Sequence, residues 1–518
     1  MDRRKFIAAS FASTALYAID GGGRCAYAQS SADALPSELR DKLAHDPLRP
    51  QFHLLPRHNW MNDPCAPRFH NGQYHMFFQY NPEAAVWGDM HWNHATSADL
   101  IYWKHQPLAL APTAGSYDAY GCFTGSVLPD GDRASILYTG VTRCTPEEET
   151  IRGEGTREVQ CLATAMDDDL RTWKKLDKPV IAAPPPGLKV TGFRDPCPWK
   201  DGDTWYLGVG SGFTKVGGAL LLYTSKDGRD WTYLHPLAQG KWNGGSQINP
   251  VATGEMWECP DFFELNGKHV LLYSTESSVF WEIGELDKKE MKFHMQTRGL
   301  LDHGAYYAMK SMIDAKGRRI LWGWVQEKRP DAELIRAGWS GCMALPRVLS
   351  IGSDNTLRMG VPPEFGTLHQ DQRTLSVSRT NAAVTAEWLG RNPIHNRAAA
   401  VACTFTPADQ PFVLEVHANS VAAPLFTIVY NGLAAKPALS VGERTVALMP
   451  DASGLSSFQF WMDGSVIEVF ADDKEAITLR NYDVTTGDLR VAVKGNVESL
   501  HSLRIAGVAP ISPDRLTS

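Results

Sequence analysis

The chain has 518 residues, 43% of them hydrophobic and 21% charged, with a formal net charge of −7. That length exceeds one ordinary core and predicts two domains or three, with enough apolar material to fill them. The acidic balance, with no basic cluster after the first few residues, argues against nucleic acid and anionic membranes as partners, and no apolar run is long enough to predict a spanning helix.

Residues 1–28 read as an export signal. Arg3-Arg4-Lys5 is the charged start, Phe6 to Ile19 is a moderately apolar stretch, and Ala26-Tyr27-Ala28 fits the small-x-small cleavage pattern. The run Asp2 to Ile7 has the twin-arginine form, with an ordinary secretory signal as the alternative. The reading predicts a secreted or periplasmic protein. Residues 29–48 are a polar lead-in, either without order or a short helix.

From 49 to 355 the chain is a succession of short strands between turn residues, for example Tyr74-His75-Met76-Phe77-Phe78, Trp205-Tyr206-Leu207-Gly208 and Val270-Leu271-Leu272-Tyr273. Helical periodicity is scarce, so the fold class is all-β. A repeat runs through it. Ala95-Thr96-Ser97-Ala98-Asp99 followed by Trp103 returns as Ala163-Thr164-Ala165-Met166-Asp167 followed by Trp173. It returns again as Tyr223-Thr224-Ser225-Lys226-Asp227 followed by Trp231. A unit of strand, Asp-rich turn, Trp and strand predicts propeller blades, at least three of them. Residues 356–369, with Val361-Pro362-Pro363-Glu364, form a linker. Residues 370–518 alternate like strands, and Phe458 to Met462, Asp463-Gly464 and Ser465 to Phe470 read as a hairpin, predicting a β-sandwich.

The most informative residues are three acids on proline-stiffened stubs: Asn62-Asp63-Pro64, Arg194-Asp195-Pro196 and Glu258-Cys259-Pro260. Proline restricts the residue before it to extended backbone, which would hold a carboxylate on a rigid arm. Any one of them alone reads as a turn or an ion pair. Three, each preceding a repeat unit, suggest carboxylates converging on a propeller axis for glycosidic bond cleavage, where a pair of acids does the work. Asp63, beside Asn62, fits the nucleophile. Glu258, between Trp257, Cys259 and Pro260, fits the acid/base, an apolar wall being expected to favour its protonated form. Asp195 fits a group that holds sugar hydroxyls and stabilises developing positive charge, and Arg194 one that steadies the carboxylates.

The run Trp60-Met61-Asn62-Asp63-Pro64, with Phe193-Arg194-Asp195-Pro196 and Trp257-Glu258-Cys259-Pro260, resembles the motifs of glycoside hydrolase family 32, the β-fructofuranosidases. Phe78-Gln79-Tyr80-Asn81-Pro82, Trp87 to Trp92, Phe123-Thr124-Gly125-Ser126 and Leu321-Trp322-Gly323-Trp324 follow in the family's order, and Asp463 to Phe470 is similar to a signature of its second domain. The resemblance implies a five-bladed propeller followed by a β-sandwich. It also implies the three acid roles above, and a retaining hydrolase for terminal fructosyl residues of levan- or inulin-type fructans, with sucrose as a further substrate. Asn62, Gln79, Trp87 and Ser126 match positions that contact the terminal fructose, and Asp302, in Asp302-His303-Gly304-Ala305-Tyr306-Tyr307, a substrate-contacting run. Trp92 reads equally well as core packing, and His303 reads better as a structural histidine than as a functional one.

No metal-ligand cluster and no nucleotide loop appears, so no metal or cofactor is expected, and the partner is an oligo- or polysaccharide. The sequence leaves oligomeric state open. A fructosyltransferase on the same scaffold is the near alternative, since the acceptor is chosen by loops. A non-catalytic fructan-binding protein is the remote one, disfavoured by the intact acids. The chain departs from the family's usual pattern at Cys65 and Cys197, each two residues after an Asp, and their matched offsets suggest proximity or a disulfide behind the site. Ala305 stands where sucrose-cleaving plant members often carry Lys, which tilts the reading toward fructan.

Overall fold

The computed structural model describes residues 35–129, 134–150, 155–242, 254–376, 382–418, 423–432, 436–451, 453–485 and 487–512. The export signal of 1–28 lies outside the described residues. Of the lead-in, Ser37–His45 is a helix whose Leu43 is buried against the first domain.

Five antiparallel sheets form the blades, beginning with inner strands Asn59–His70, Gly121–Leu128, Val190–Asp201, Glu258–Leu265 and Tyr306–Ile313. These five strands touch one another in a closed ring, the fifth against the first. Closure is reinforced by Trp339–Ser340, which lies parallel to Asn59 and Trp60 as an added strand of the first sheet. The chain thus returns to its starting blade and leaves no open seam.

The Asp-rich repeats occupy the turn between third and fourth strands. Asp99 Oδ1 accepts the Ile101 and Tyr102 N–H groups, both at 2.9 Å. Asp167 accepts from Arg171 and Thr172 at 3.0 and 2.8 Å, and Asp227 from Arg229 and Asp230 at 2.8 and 2.9 Å. The carboxylate replaces the backbone acceptor the turn lacks. The Trp103 and Trp173 indoles then cap Leu100 O and Leu170 O, each at 3.0 Å. A fourth copy lies at Asp287, which accepts from Lys289 and Glu290 at 2.8 and 3.1 Å but has no following Trp.

The fifth blade ends with Leu357–Gly360, and only the 3-10 turn Pro363–Leu368 separates it from the next domain, so much of the expected 356–369 linker is ordered. That domain is a sandwich of two sheets, one built on Ala398–Phe405, Ser456–Asp463 and Leu500–Val508, the other on Phe412–Ala418 and its neighbours. Alternating residues such as Phe405, Phe412, Phe458 and Ile428 fill the space between them.

The two domains share a polar, buried seam. Asp463 accepts the backbone N–H groups of Gln51, Phe52 and His53 at 2.6, 2.8 and 3.1 Å. The His53 ring is held between Asp463 Oδ2 at 2.7 Å and Glu468 Oε1 at 3.0 Å. Arg347 Nη2 donates to Glu468 at 3.1 Å and to Asp302 at 2.7 Å. Charges taken out of water on both sides are matched here one against another.

Candidate active site

Each inner strand carries a bulge where it meets the axis. Register slips fall between Met61 and Pro64, Phe123 and Gly125, Arg194 and Cys197, Glu258 and Asp261, and Tyr307 and Lys310. A bulge adds one residue and re-aims the side chains beside it. The expected extended stub fails in two of the three runs. Asp195 (φ 64°) and Cys259 (φ 49°) both precede proline and both adopt left-handed backbone, as does Ala308 (φ 57°) at the matching place in blade five. The bulge, not the proline, sets the direction of these side chains.

The matched positions stack into tiers. The residues before the left-handed position in blades three, four and five are Arg194, Glu258 and Tyr307, and they join through Glu258. Arg194 Nη2 donates to Glu258 Oε1 at 2.7 Å, and the Tyr307 hydroxyl to Oε2 at 2.5 Å. The next tier holds Asp63, Thr124, Asp195 and Cys259. Thr124 Oγ1 donates to Asp63 Oδ2 at 2.6 Å, and Cys259 N–H to Asp195 Oδ2 at 2.7 Å. The Cys259 thiol lies 3.3 Å from Asp63 Oδ2 and 3.5 Å from Asp195 Oδ2, so two acids distant in sequence meet across one sulfur. Beneath them Cys197 Sγ approaches Asp261 Oδ1 at 3.9 Å, and Lys310 Nζ donates to Pro260 O at 2.7 Å.

The amides of Asn62 and Gln79 lie in the same cluster. Asn62 Nδ2 donates to Asp63 Oδ1 and to Gln79 Oε1, both at 3.0 Å, while Gln79 Nε2 donates to Thr124 Oγ1 at 2.8 Å. The Trp60 indole fixes the Asn62 amide by donating to Oδ1 at 2.8 Å. Trp87 is 45% exposed, edge-on to Phe123, and offers a free apolar face. Ser126 is half-buried on the same strand as Thr124, and its hydroxyl has no hydrogen-bond partner among the described residues.

Charge in the cluster is biased toward protonation. Burial raises Asp63, opposed by hydrogen bonds from Thr124, Asn62 and Cys259, and the nearby Glu258 charge raises it further. Burial pushes Asp195 up to about 7, against the pull of Arg194 and with the push of Asp63. Burial works against the charge of Arg194, but Glu158, Glu258 and Asp195 hold it protonated well above the usual arginine range.

Four expectations from the sequence are corrected. Asp302 is not in the cluster. Its side chain is fully buried at the seam, accepting from Arg347 at 2.7 Å, Thr478 N and Oγ1 at 3.0 and 2.7 Å, and Gly304 N at 2.8 Å. His303 pairs with Glu475 at 2.8 Å and Ala305 N–H donates to Thr478 O at 2.7 Å, so 302–305 is a docking strip, and Ala305 is answered by packing there. Trp257 does not wall Glu258 as expected but stacks on Tyr273 at 3.9 Å inside the blade core; Trp92 is likewise fully buried. Cys65 and Cys197 form no bridge. The eight described cysteines are free, and the bulges turn these two into separate clusters, Cys65 beside Phe77 and Trp92, Cys197 beside Leu220 and Phe262.

Sequence reasoning passed over Thr124, Glu158 and Tyr307. The first and last lay inside recognised runs, and aligning 307–310 with 194–197 and 258–261 would have exposed Tyr307. Glu158 sits in the strand Thr156–Ala165 among other polar residues, Arg157 and Gln160, and carries no signal of its own.

A ring of five blades with paired acids at its axis, backed by a sandwich, defines a propeller of the glycosidase type. Residues 53–360 match the glycosyl hydrolases family 32 N-terminal domain, and the chain belongs to that family. It is similar to the sucrose-6-phosphate hydrolase of Escherichia coli, 36% identical over 345 residues, covering 63% of this chain and 67% of that protein. It is also similar to the raffinose invertase of Escherichia coli, 37% identical over 58% of this chain and 61% of that one, so the matches span about two thirds of these relatives' length. Among solved structures, fructan 1-exohydrolase IIa from Cichorium intybus superposes with a TM-score of 0.73 at 27% identity, covering 90% of this chain and 98% of that one.

Proposed function

We propose that this protein is a retaining β-fructofuranosidase that releases terminal β-D-fructofuranosyl residues from sucrose-type sugars and from fructans. The observation that carries the reading is the unlike setting of two acids in one cluster. Asp63 is held by neutral donors, Asn62, Thr124 and the Cys259 thiol, which oppose the effect of burial and favour the ionised, nucleophilic form. Glu258 is gripped at both oxygens, by Arg194 and Tyr307, in a fixed orientation, with its side chain 20% exposed. A furanosyl unit seated over Trp87 would present its anomeric carbon to Asp63. Asp63 forms the glycosyl ester as Glu258 gives its proton to the departing oxygen; Glu258 then takes a proton from water, which displaces Asp63. Asp195 faces the ring hydroxyls and the developing positive charge.

The sequence leaned to fructan over sucrose. Relatives named for sucrose-6-phosphate and raffinose, and the packing role of Ala305, support the broader substrate class. Export through residues 1–28 is part of the reading, tested by sequencing the N-terminus of protein recovered outside the cytoplasm. The activity itself is tested by NMR of the first minutes of turnover on sucrose, inulin and levan. Fructose appearing first as the β anomer is expected; the α anomer first, or dianhydrides and chain-lengthened sugars in place of free fructose, would overturn it.

A further inference from the structure

We infer that Glu158 is a positioning residue for the acid/base. By neutralising Arg194 from behind, it lets the guanidinium orient Glu258 without stripping the proton that Glu258 must deliver. The inference rests on the reading of Glu258 as acid/base.

The geometry is a line of alternating charge. Glu158 belongs to the third strand of blade two, Thr156–Ala165, and is fully buried. Its Oε2 accepts the Phe193 N–H at 2.6 Å and its Oε1 accepts Arg194 Nη1 at 2.8 Å. The other guanidinium nitrogen of Arg194 goes to Glu258 Oε1 at 2.7 Å. The arm between them is only 12% exposed, so water screens little of this. The chain makes room for the arm: a Cβ on Gly192 would lie 2.7 Å from Met256 Sδ and 3.0 Å from Arg194 Nη1.

The electrostatic consequence follows from the fork. An arginine whose only acidic partner was Glu258 would stabilise the carboxylate over the acid and make it a poor proton donor at working pH. With Glu158 on the opposite nitrogen, the guanidinium keeps its directional hydrogen bond but most of its field is cancelled. Other charges lie around this pair, Asp63 acting on Glu258, Asp195 on Arg194 and Lys310 on Asp195. Asp63 comes from blade one and Asp195 from blade three; Lys310 lies in the tier below, and the neutral Tyr307 hydroxyl sits on the second Glu258 oxygen. None of the bonds described for these groups reaches Arg194 Nη1, so the compensation on that nitrogen comes from Glu158. Glu158 touches no substrate; it acts through Arg194.

The test is the pH dependence of kcat/KM for the wild type and for E158D, E158Q and E258Q. E158Q keeps the volume and removes the charge; E158D keeps the charge and withdraws it by one methylene. The basic limb is expected to move to lower pH in the order wild type, E158D, E158Q, by about one unit for E158Q. Rate near the acidic plateau is expected to stay within about tenfold. A residue that merely packed would lower kcat without moving the limb, so limbs that coincide in E158Q and wild type overturn the proposal. If E158Q does not fold, E158D decides: a smaller shift in the same direction supports the proposal and a coincident limb overturns it. A basic limb that persists in E258Q overturns the acid/base reading, and the proposal with it.

Discussion

Asp63 and Glu258 both carry a carboxyl group and are set to different roles by what surrounds them. Replacing either with Ala is expected to cost at least about 10²–10⁴ in kcat with the fold retained, checked by steady-state kinetics beside circular dichroism. Thr124 supplies a finer test. Its hydrogen bond to Asp63 stabilises the carboxylate, so Thr124→Val raises Asp63 further above its ordinary value, and the acid limb of kcat/KM moves to higher pH. A limb that stays in place in that variant would remove Thr124 from the account. Asp195, pushed up to about 7, gives a second signature. Asp195→Asn removes that acid and is expected to lower kcat/KM across the whole pH range, read from the same pH profile. At this scale the sequence revealed the acids, because each stands beside Pro, Trp or Arg in a distinctive run. It hid Glu158 and mistook Asp302, because an acid's role depends on which cation lies across from it, and those partners, Arg194 and Arg347, are fixed by blade packing and by the domain seam.

The repeated element is the blade, and its punctuation is legible in residues. Asp99, Asp167 and Asp227 were marked by their spacing to a following Trp, while Asp287 was not, since the turn needs only the carboxylate and the indole is an addition. Asp99→Ala leaves the part-buried Ile101 N–H and the exposed Tyr102 N–H without their acceptor and is expected to cost about 1 kcal/mol, measured by urea denaturation, with kcat unchanged. The bulges at the axis were not legible. An X-Pro pair argues for extended backbone, yet Asp195 and Cys259 take left-handed φ, a local cost of order 1–3 kcal/mol that the two flanking strands impose.

The whole molecule depends on a seam that no local pattern announces. His53 is buried, which works against its charge, but hydrogen bonds from its ring to Asp463 and Glu468 raise it from 6.5 to about 9. A histidine raised on folding stabilises fully below its unfolded value and loses that contribution as pH climbs through its folded value. Stability is therefore expected to fall by about 3 kcal/mol between pH 6.5 and pH 9, read from urea midpoints, and His53→Gln to flatten that fall. Gly304 packs against the same seam, where a Cβ would lie 1.9 Å from Thr478 O, so Gly304→Ala is expected to loosen the docking of sandwich on propeller. By itself, the sequence determined the all-β class, the blade repeat, the family and the three acids, because turn chemistry, strand alternation and short motifs are local and survive without partners. Only the tertiary structure decided which acid meets which cation, which cysteines stand apart, and that 302–305 serves the seam while Tyr307 serves the site. Those assignments follow from bulges and from ring closure, which bring together residues as far apart in sequence as Asn59 and Trp339 and leave no trace in local spacing.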